Sequence, residues 1–147
     1  MISKVVQIFT SNRHLHNFQE VNAYNLKNNS WRIIDCPRDG AQLISLGKFV
    51  NGKLHWATIV GLAMKRCWSI TSFNWTDEKW RKVMRPYYGE EDGVLVLGAL
   101  ESHLSMICNN PTTHIDVWAM KEYGDKESWM KTFTINYTAD PADYYLS

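Results

Sequence analysis

Tryptophan stands at positions 31, 80 and 129 of this sequence, a spacing of 49 residues both times. The neighbours repeat with it. Asn22-Ala23-Tyr24-Asn25-Leu26 leads to Ser30-Trp31-Arg32-Ile33-Ile34, and Thr71-Ser72-Phe73-Asn74-Trp75 leads to Lys79-Trp80-Arg81-Lys82-Val83. The third copy, Asp116-Val117-Trp118-Ala119-Met120, leads to Ser128-Trp129-Met130-Lys131-Thr132-Phe133. A sustained period of about 20–50 residues marks a fold built by stacking one small unit, because a single unit cannot bury its own apolar face.

Each copy reads as strand, polar turn, strand. Lys27-Asn28-Asn29 and Thr76-Asp77-Glu78 form the first two turns; the third is four residues longer and carries Tyr123-Gly124-Asp125. Asn, Asp and Gly tolerate the positive backbone angles that tight turns require. A further strand precedes each hairpin, at Lys4–Phe9, Lys53–Ile59 and His103–Cys108. Leu43–Leu46 and Val94–Leu97, each closing on a glycine, add a fourth to the later two. The unit is thus about four short strands in roughly 50 residues, the size of a kelch-type propeller blade. The chain reads as all-β: one domain over 1–147, a kelch-like β-propeller fragment of about three four-stranded repeats near 1–42, 43–92 and 93–147. An antiparallel β-sandwich, which also uses short strands at regular spacing, is the alternative. Thr10–Gln19, Cys36–Gln42, Arg85–Gly93 and Asn109-Asn110-Pro111 read as loops and turns, and no long 3.6-residue apolar period predicts helix.

Seven Trp and seven Tyr suit this reading, since large flat side chains favour pleated, half-buried strands. A net charge of +1 argues against a partner bound by charge, such as nucleic acid. Apolar runs such as Val94–Leu97 fall far short of the ~20 residues of a membrane-spanning helix. The opening MISKVVQIFTSNRH has too short an apolar run for a secretory signal. Cys36, Cys67 and Cys108 form no CxxC pair and read as reduced, buried thiols of a cytoplasmic or nuclear protein.

Catalytic chemistry finds no footing. His14 and His16 lie at spacing two but lack a placeable third metal ligand. His55, His103 and His114 sit in or beside strands and read as satisfied by neighbouring backbone. Cys67 and Cys108 show no base nearby to activate them. Glu90-Glu91-Asp92, flanked by Gly89 and Gly93, reads as a solvated loop. No Walker loop, GxGxxG, GxSxG or HExxH occurs, so the expectation is a protein that is not an enzyme and needs no metal or cofactor. Trp31, Trp80 and Trp129 recur at one position and are expected in the core between adjacent blades. Contact with a partner is expected from the variable loops: Arg13, His14, His16, Phe18 and Arg38, then Tyr87, Tyr88, Glu90, Glu91 and Asp92, with Tyr123 in the long third turn.

Val50-Asn51-Gly52-Lys53-Leu54-His55-Trp56, Ile70-Thr71-Ser72-Phe73-Asn74 with Lys79-Trp80, and Val117-Trp118-Ala119-Met120-Lys121-Glu122-Tyr123-Gly124 with Glu127-Ser128-Trp129-Met130-Lys131 carry a family pattern. They resemble the plant F-box-associated domain, the kelch-like region that follows the F-box in many plant F-box proteins. Lys4–Ile34 is similar to the opening of the same domain, so the resemblance covers nearly the whole chain. Solanaceous pollen S-locus F-box proteins are a subset with these features. The resemblance implies a non-catalytic domain that holds a target protein for a Skp1–Cullin–F-box ubiquitin ligase. The helical F-box that would hold Skp1 has no counterpart in this sequence, so recruitment of Skp1 and Cullin is expected only with an F-box upstream. The alternative is a half-propeller acting as a structural or oligomerising module. Three blades fall short of a ring of about four to eight, and a second copy would cover its open sheet edges.

Overall fold

The computed structural model describes residues 4–13, 16–38, 41–60, 67–86, 94–110 and 112–137. Apart from one 3-10 turn at Lys126–Ser128, its regular structure is strand throughout. The first sheet holds β1 (Lys4–Arg13), β2 (His16–Asn25) and β3 (Ser30–Ile34). The second holds β4 (Gln42–Val50), β5 (Lys53–Val60), β6 (Cys67–Asn74) and β7 (Lys79–Val83). The third holds β8 (Val94–Leu100), β9 (His103–Asn110), β10 (His114–Met120) and β11 (Trp129–Asn136). Every sheet is an antiparallel meander in chain order, which is the blade pattern of a propeller. The Thr10–Gln19 segment, expected as loop, is instead strand on both sides of the hairpin tip, with Ser11 opposite Phe18 and Arg13 opposite His16. Likewise β9 continues through Asn109 and Asn110.

Alternation gives each sheet two apolar faces, and two clusters form where the faces meet. Val21, Ala23 and Ile34 of the first sheet pack against Leu43, Trp56 and Phe73 of the second. On the other side of the second sheet, Val50, Ala57 and Ile70 pack against Leu104, Met106, Met120 and Trp129 of the third. Both joints are pinned by the same polar device. The Trp80 indole N–H donates to the carbonyl of Asp35 at 2.5 Å, and the Trp129 indole N–H to that of Met84 at 2.8 Å. Each acceptor lies four residues beyond the preceding repeat's tryptophan. A buried indole needs a partner for its single donor, and this one ties neighbouring sheets. The Gln19 amide adds a reciprocal pair with the Leu43 backbone, at 2.9 and 2.7 Å, across the first joint.

The expectation of three equivalent core tryptophans holds for Trp129, which is 6% exposed, and for half-buried Trp80. It fails for Trp31, which is 58% exposed. Trp31 still packs on its cross-strand neighbour Tyr24, with the rings tilted by 49° and 4.9 Å between centroids, but no earlier sheet covers it among the described residues.

The second joint has a further bond. His55 on β5 is fully buried. Its Nδ1 lies 3.3 Å from the Lys48 carbonyl, to which it must donate, so Nε2 accepts from the Tyr123 hydroxyl at 2.6 Å. Tyr123 rides on the turn between β10 and β11, so this pair links the second and third sheets. Burial lowers the His55 pKa below its ordinary value and raises that of Tyr123.

The turns carry the repeat in their dihedrals. Asn51 and Gly52 (φ 51° and 72°) join β4 to β5, and Glu101 and Ser102 (φ 48° and 68°) join β8 to β9. Two successive positive φ values define the type I′ hairpin, for which Asn-Gly is the preferred pair. Asn29 and Glu78 hold matching positive values in the turns before β3 and β7, and Asn25 and Asn74 cap those turns by accepting from Lys27 and Thr76 N–H, both at 2.9 Å.

Three outcomes follow for stability, each read by urea denaturation. Replacing Glu101-Ser102 by Asn-Gly stabilises by about 1 kcal/mol, since glycine relieves the left-handed strain at Ser102. Trp129→Phe, which loses a hydrogen bond and core volume, costs about 2 kcal/mol, whereas Trp31→Phe changes stability by no more than about 0.5 kcal/mol; equal losses would contradict the inequivalence of the two positions. Because folded His55 binds a proton less readily than the unfolded chain, its contribution is complete above the ordinary histidine pKa, about 6.5. It is lost as the pH falls below that value towards the lower folded-state pKa, at up to ~1.4 kcal/mol per pH unit. His55→Gln, which keeps a donor and an acceptor, flattens that slope; an unchanged slope would remove His55 from the account.

Candidate functional site

The blade joints repeat in sequence but not in filling, and that difference creates a groove. Lys4 on β1 and Lys53 on β5 occupy matching positions, opposite Asn25 and beside Asn74 respectively. Each ammonium lies over an aromatic ring of the next sheet: Lys4 over Trp75 at 5.0 Å, Lys53 over Tyr123 at 4.9 Å. In the second joint Tyr123 enters far enough to bond His55. In the first, Val6 stands where His55 stands in the second, and Trp75 turns instead onto Phe73, edge to face at 5.2 Å.

What remains is a groove of about 340 Å³ lined by Lys4, Asn28, Ser30, Arg32, Trp75 and Glu78 among others. Arg32 on β3 and Glu78 in the turn after β6 form an ion pair that joins the two sheets. Asn28 accepts from the Ser30 hydroxyl at 2.6 Å. The groove therefore offers charges of both signs, amide and hydroxyl groups and one aromatic wall. Such a lining can hold a polar segment by hydrogen bonds and stacking; it holds no nucleophile beside a base.

The Cys36 thiol donates to the Gln19 carbonyl at 3.0 Å, and burial pushes its pKa up, the opposite of an activated thiolate. Asp116 is half-buried; burial raises its pKa, but hydrogen bonds from Thr134 and Lys131 outweigh this and hold it below the usual range. No group of three metal-ligating side chains gathers among the described residues. None of their helices is long and apolar enough to cross a membrane.

The residues expected to meet a partner are scattered. Arg13, His16 and Phe18 share one end of the β1–β2 hairpin, while His14 lies outside the described residues, as do Tyr87, Tyr88, Glu90, Glu91 and Asp92. Arg38 is exposed between β3 and β4. Tyr123 is half-buried and engaged within the second joint. Sequence reading missed the groove residues Lys4, Arg32, Trp75 and Glu78, because they converge only once two sheets are stacked. The one available signal was the matched pair of lysines at 4 and 53.

Comparison with known proteins agrees with this architecture. The F-box associated beta propeller domain matches residues 2–146. The F-box protein CPR1 of Arabidopsis thaliana is 29% identical over 130 residues, covering 79% of this chain and 32% of that protein. An F-box/kelch-repeat protein of the same plant is 29% identical over 120 residues, with the same coverage. The chain thus spans about a third of the length of these curated relatives. With eleven strands in stacked meander sheets among the described residues and a family match across nearly the whole sequence, the chain belongs to the F-box associated β-propeller domain family.

Proposed function

We propose that this chain is a non-catalytic, target-binding domain of a Skp1–Cullin–F-box ubiquitin ligase, and that the groove between its first two sheets holds part of the target protein. The observation that supports this reading is the groove itself: a polar cleft with an aromatic wall, set between two sheets, in a domain family named for its association with the F-box. Ligase action would be by proximity. The domain binds the target, and an F-box elsewhere in the protein places it beside the ubiquitin-charged enzyme. A second candidate surface lies at the opposite end of the first sheet, where the β1–β2 hairpin bears Arg13, His16 and Phe18 and where β3 leads on to Arg38. No cofactor enters the mechanism.

The groove can be altered without disturbing the fold. The Arg32 and Glu78 side chains are 56% and 37% exposed, and solvent-accessible ion pairs contribute about 1 kcal/mol or less. Lys4→Ala combined with Arg32→Ala therefore leaves the urea midpoint almost unchanged. Fused behind an F-box segment and expressed in plant cells, the native chain raises ubiquitination of at least one co-purifying protein. The double variant lowers both its capture and its modification about tenfold. Equal capture by the variant would remove the groove from the reading, and no ubiquitinated partner at all would remove the ligase role.

A further inference from the structure

The chain carries both halves of the joint that it uses twice internally, and among the described residues both halves are exposed on its first and third sheets. In each internal joint one sheet presents the face of its tryptophan, and the preceding sheet presents the opposite face. The tryptophan face of the second sheet is covered, with Phe73 at 1% exposure. So is that of the third, where Met120 and Trp129 are buried. On the first sheet the same face bears Val5, Phe9, Trp31 and Ile33, all exposed, and the strand registers place Val5 and Trp31 on either side of Tyr24.

The receiving face shows the converse. Val21 and Ile34 of the first sheet and Ile70 of the second lie on it and are buried. Val117 and Phe133 are the matching cross-strand pair of the third sheet, and there Phe133 is 58% exposed, with Val96, Met130 and Ile135 exposed on the same face. Eight of the twelve exposed large hydrophobic residues among those described thus fall on these two faces. Scattered surface apolar residues need no explanation, but a concentration of them marks an interaction site.

We propose that two copies of this chain associate head to tail, the Trp31 face of each seated on the Phe133 face of the other. The inference goes beyond target binding and uses other residues. It commits to a second copy because the joint seen twice within the chain already shows what each face accepts, and one chain supplies both. Such a contact is heterologous, and it closes when the rotation allows. Two copies give six blades, within the range of about four to eight at which propellers close.

Light scattering of the purified 147-residue chain at tens of micromolar is expected to give twice the 17.1 kDa chain mass. Trp31→Asp and Phe133→Asp, both at exposed positions, each raise the dimer dissociation constant at least tenfold, and Ile33→Asp does the same as a second variant of the first face. Unchanged far-ultraviolet circular dichroism and a cooperative thermal transition show that the variants fold, with the midpoint lowered only by the loss of the stabilisation that association adds. Mixing Trp31→Asp with Phe133→Asp restores a dimer, because one joint then joins two intact faces. A monomeric native chain would overturn the proposal. So would a dimer that survives Phe133→Asp, since the Trp31 face would then be pairing with itself.

Discussion

The structure rests on a hydrogen bond that crosses from one sheet to the next. A tryptophan on the last strand of a sheet reaches over the packed face and donates to a carbonyl of the sheet before it, Trp80 to Asp35 and Trp129 to Met84. Apolar burial alone would let two sheets slide over each other, because it is non-directional. The indole couples a large apolar area to one directional donor, so it fixes where the sheets meet as well as that they meet. The acceptor lies four residues past the preceding tryptophan, one residue beyond the end of the same short strand, which leaves little room for an insertion between them. The hairpin turn that leads into each tryptophan strand carries no such restriction. The third hairpin turn could therefore lengthen by four residues around Tyr123 while Trp129 kept its place.

This explains why so much of the fold was legible in the sequence. The spacing of Trp31, Trp80 and Trp129 reports a device that must recur if the sheets are to stack. The hairpins around Asn51-Gly52 and Lys27-Asn28-Asn29 report turn chemistry that is local. Strand identity, sheet order and repeat length all follow from those two kinds of signal. The exposure of Trp31 was not legible, because its sequence surroundings match those of its two counterparts. What differs is the neighbour, and a neighbour is not encoded within five residues of the ring. The extent of β1 and β2 was misread for a related reason: the Asn- and His-rich stretch at 10–19 has the composition of a loop but pairs residue by residue across the hairpin.

The candidate site was less legible still, since it arises where the repeat departs from itself. Lysines 4 and 53 stand in matching places and each sits on a ring of the next sheet. Behind Lys53 the space is taken by Tyr123, whose hydroxyl is satisfied by a histidine that burial keeps neutral. Behind Lys4 stands Val6, which offers a hydroxyl nothing to bond, and the corresponding space stays open between Trp75 and Arg32. Closing a joint with a buried tyrosine requires an acceptor, because an unsatisfied buried hydroxyl costs ~1–3 kcal/mol. His55 is thus the residue that permits the second joint to be sealed, and its absence from the first leaves the groove. In a fold made of repeated units, accessible polar and charged groups are left at the joint that lacks the sealing pair, while at the sealed joint the same space is filled by the Tyr123–His55 pair.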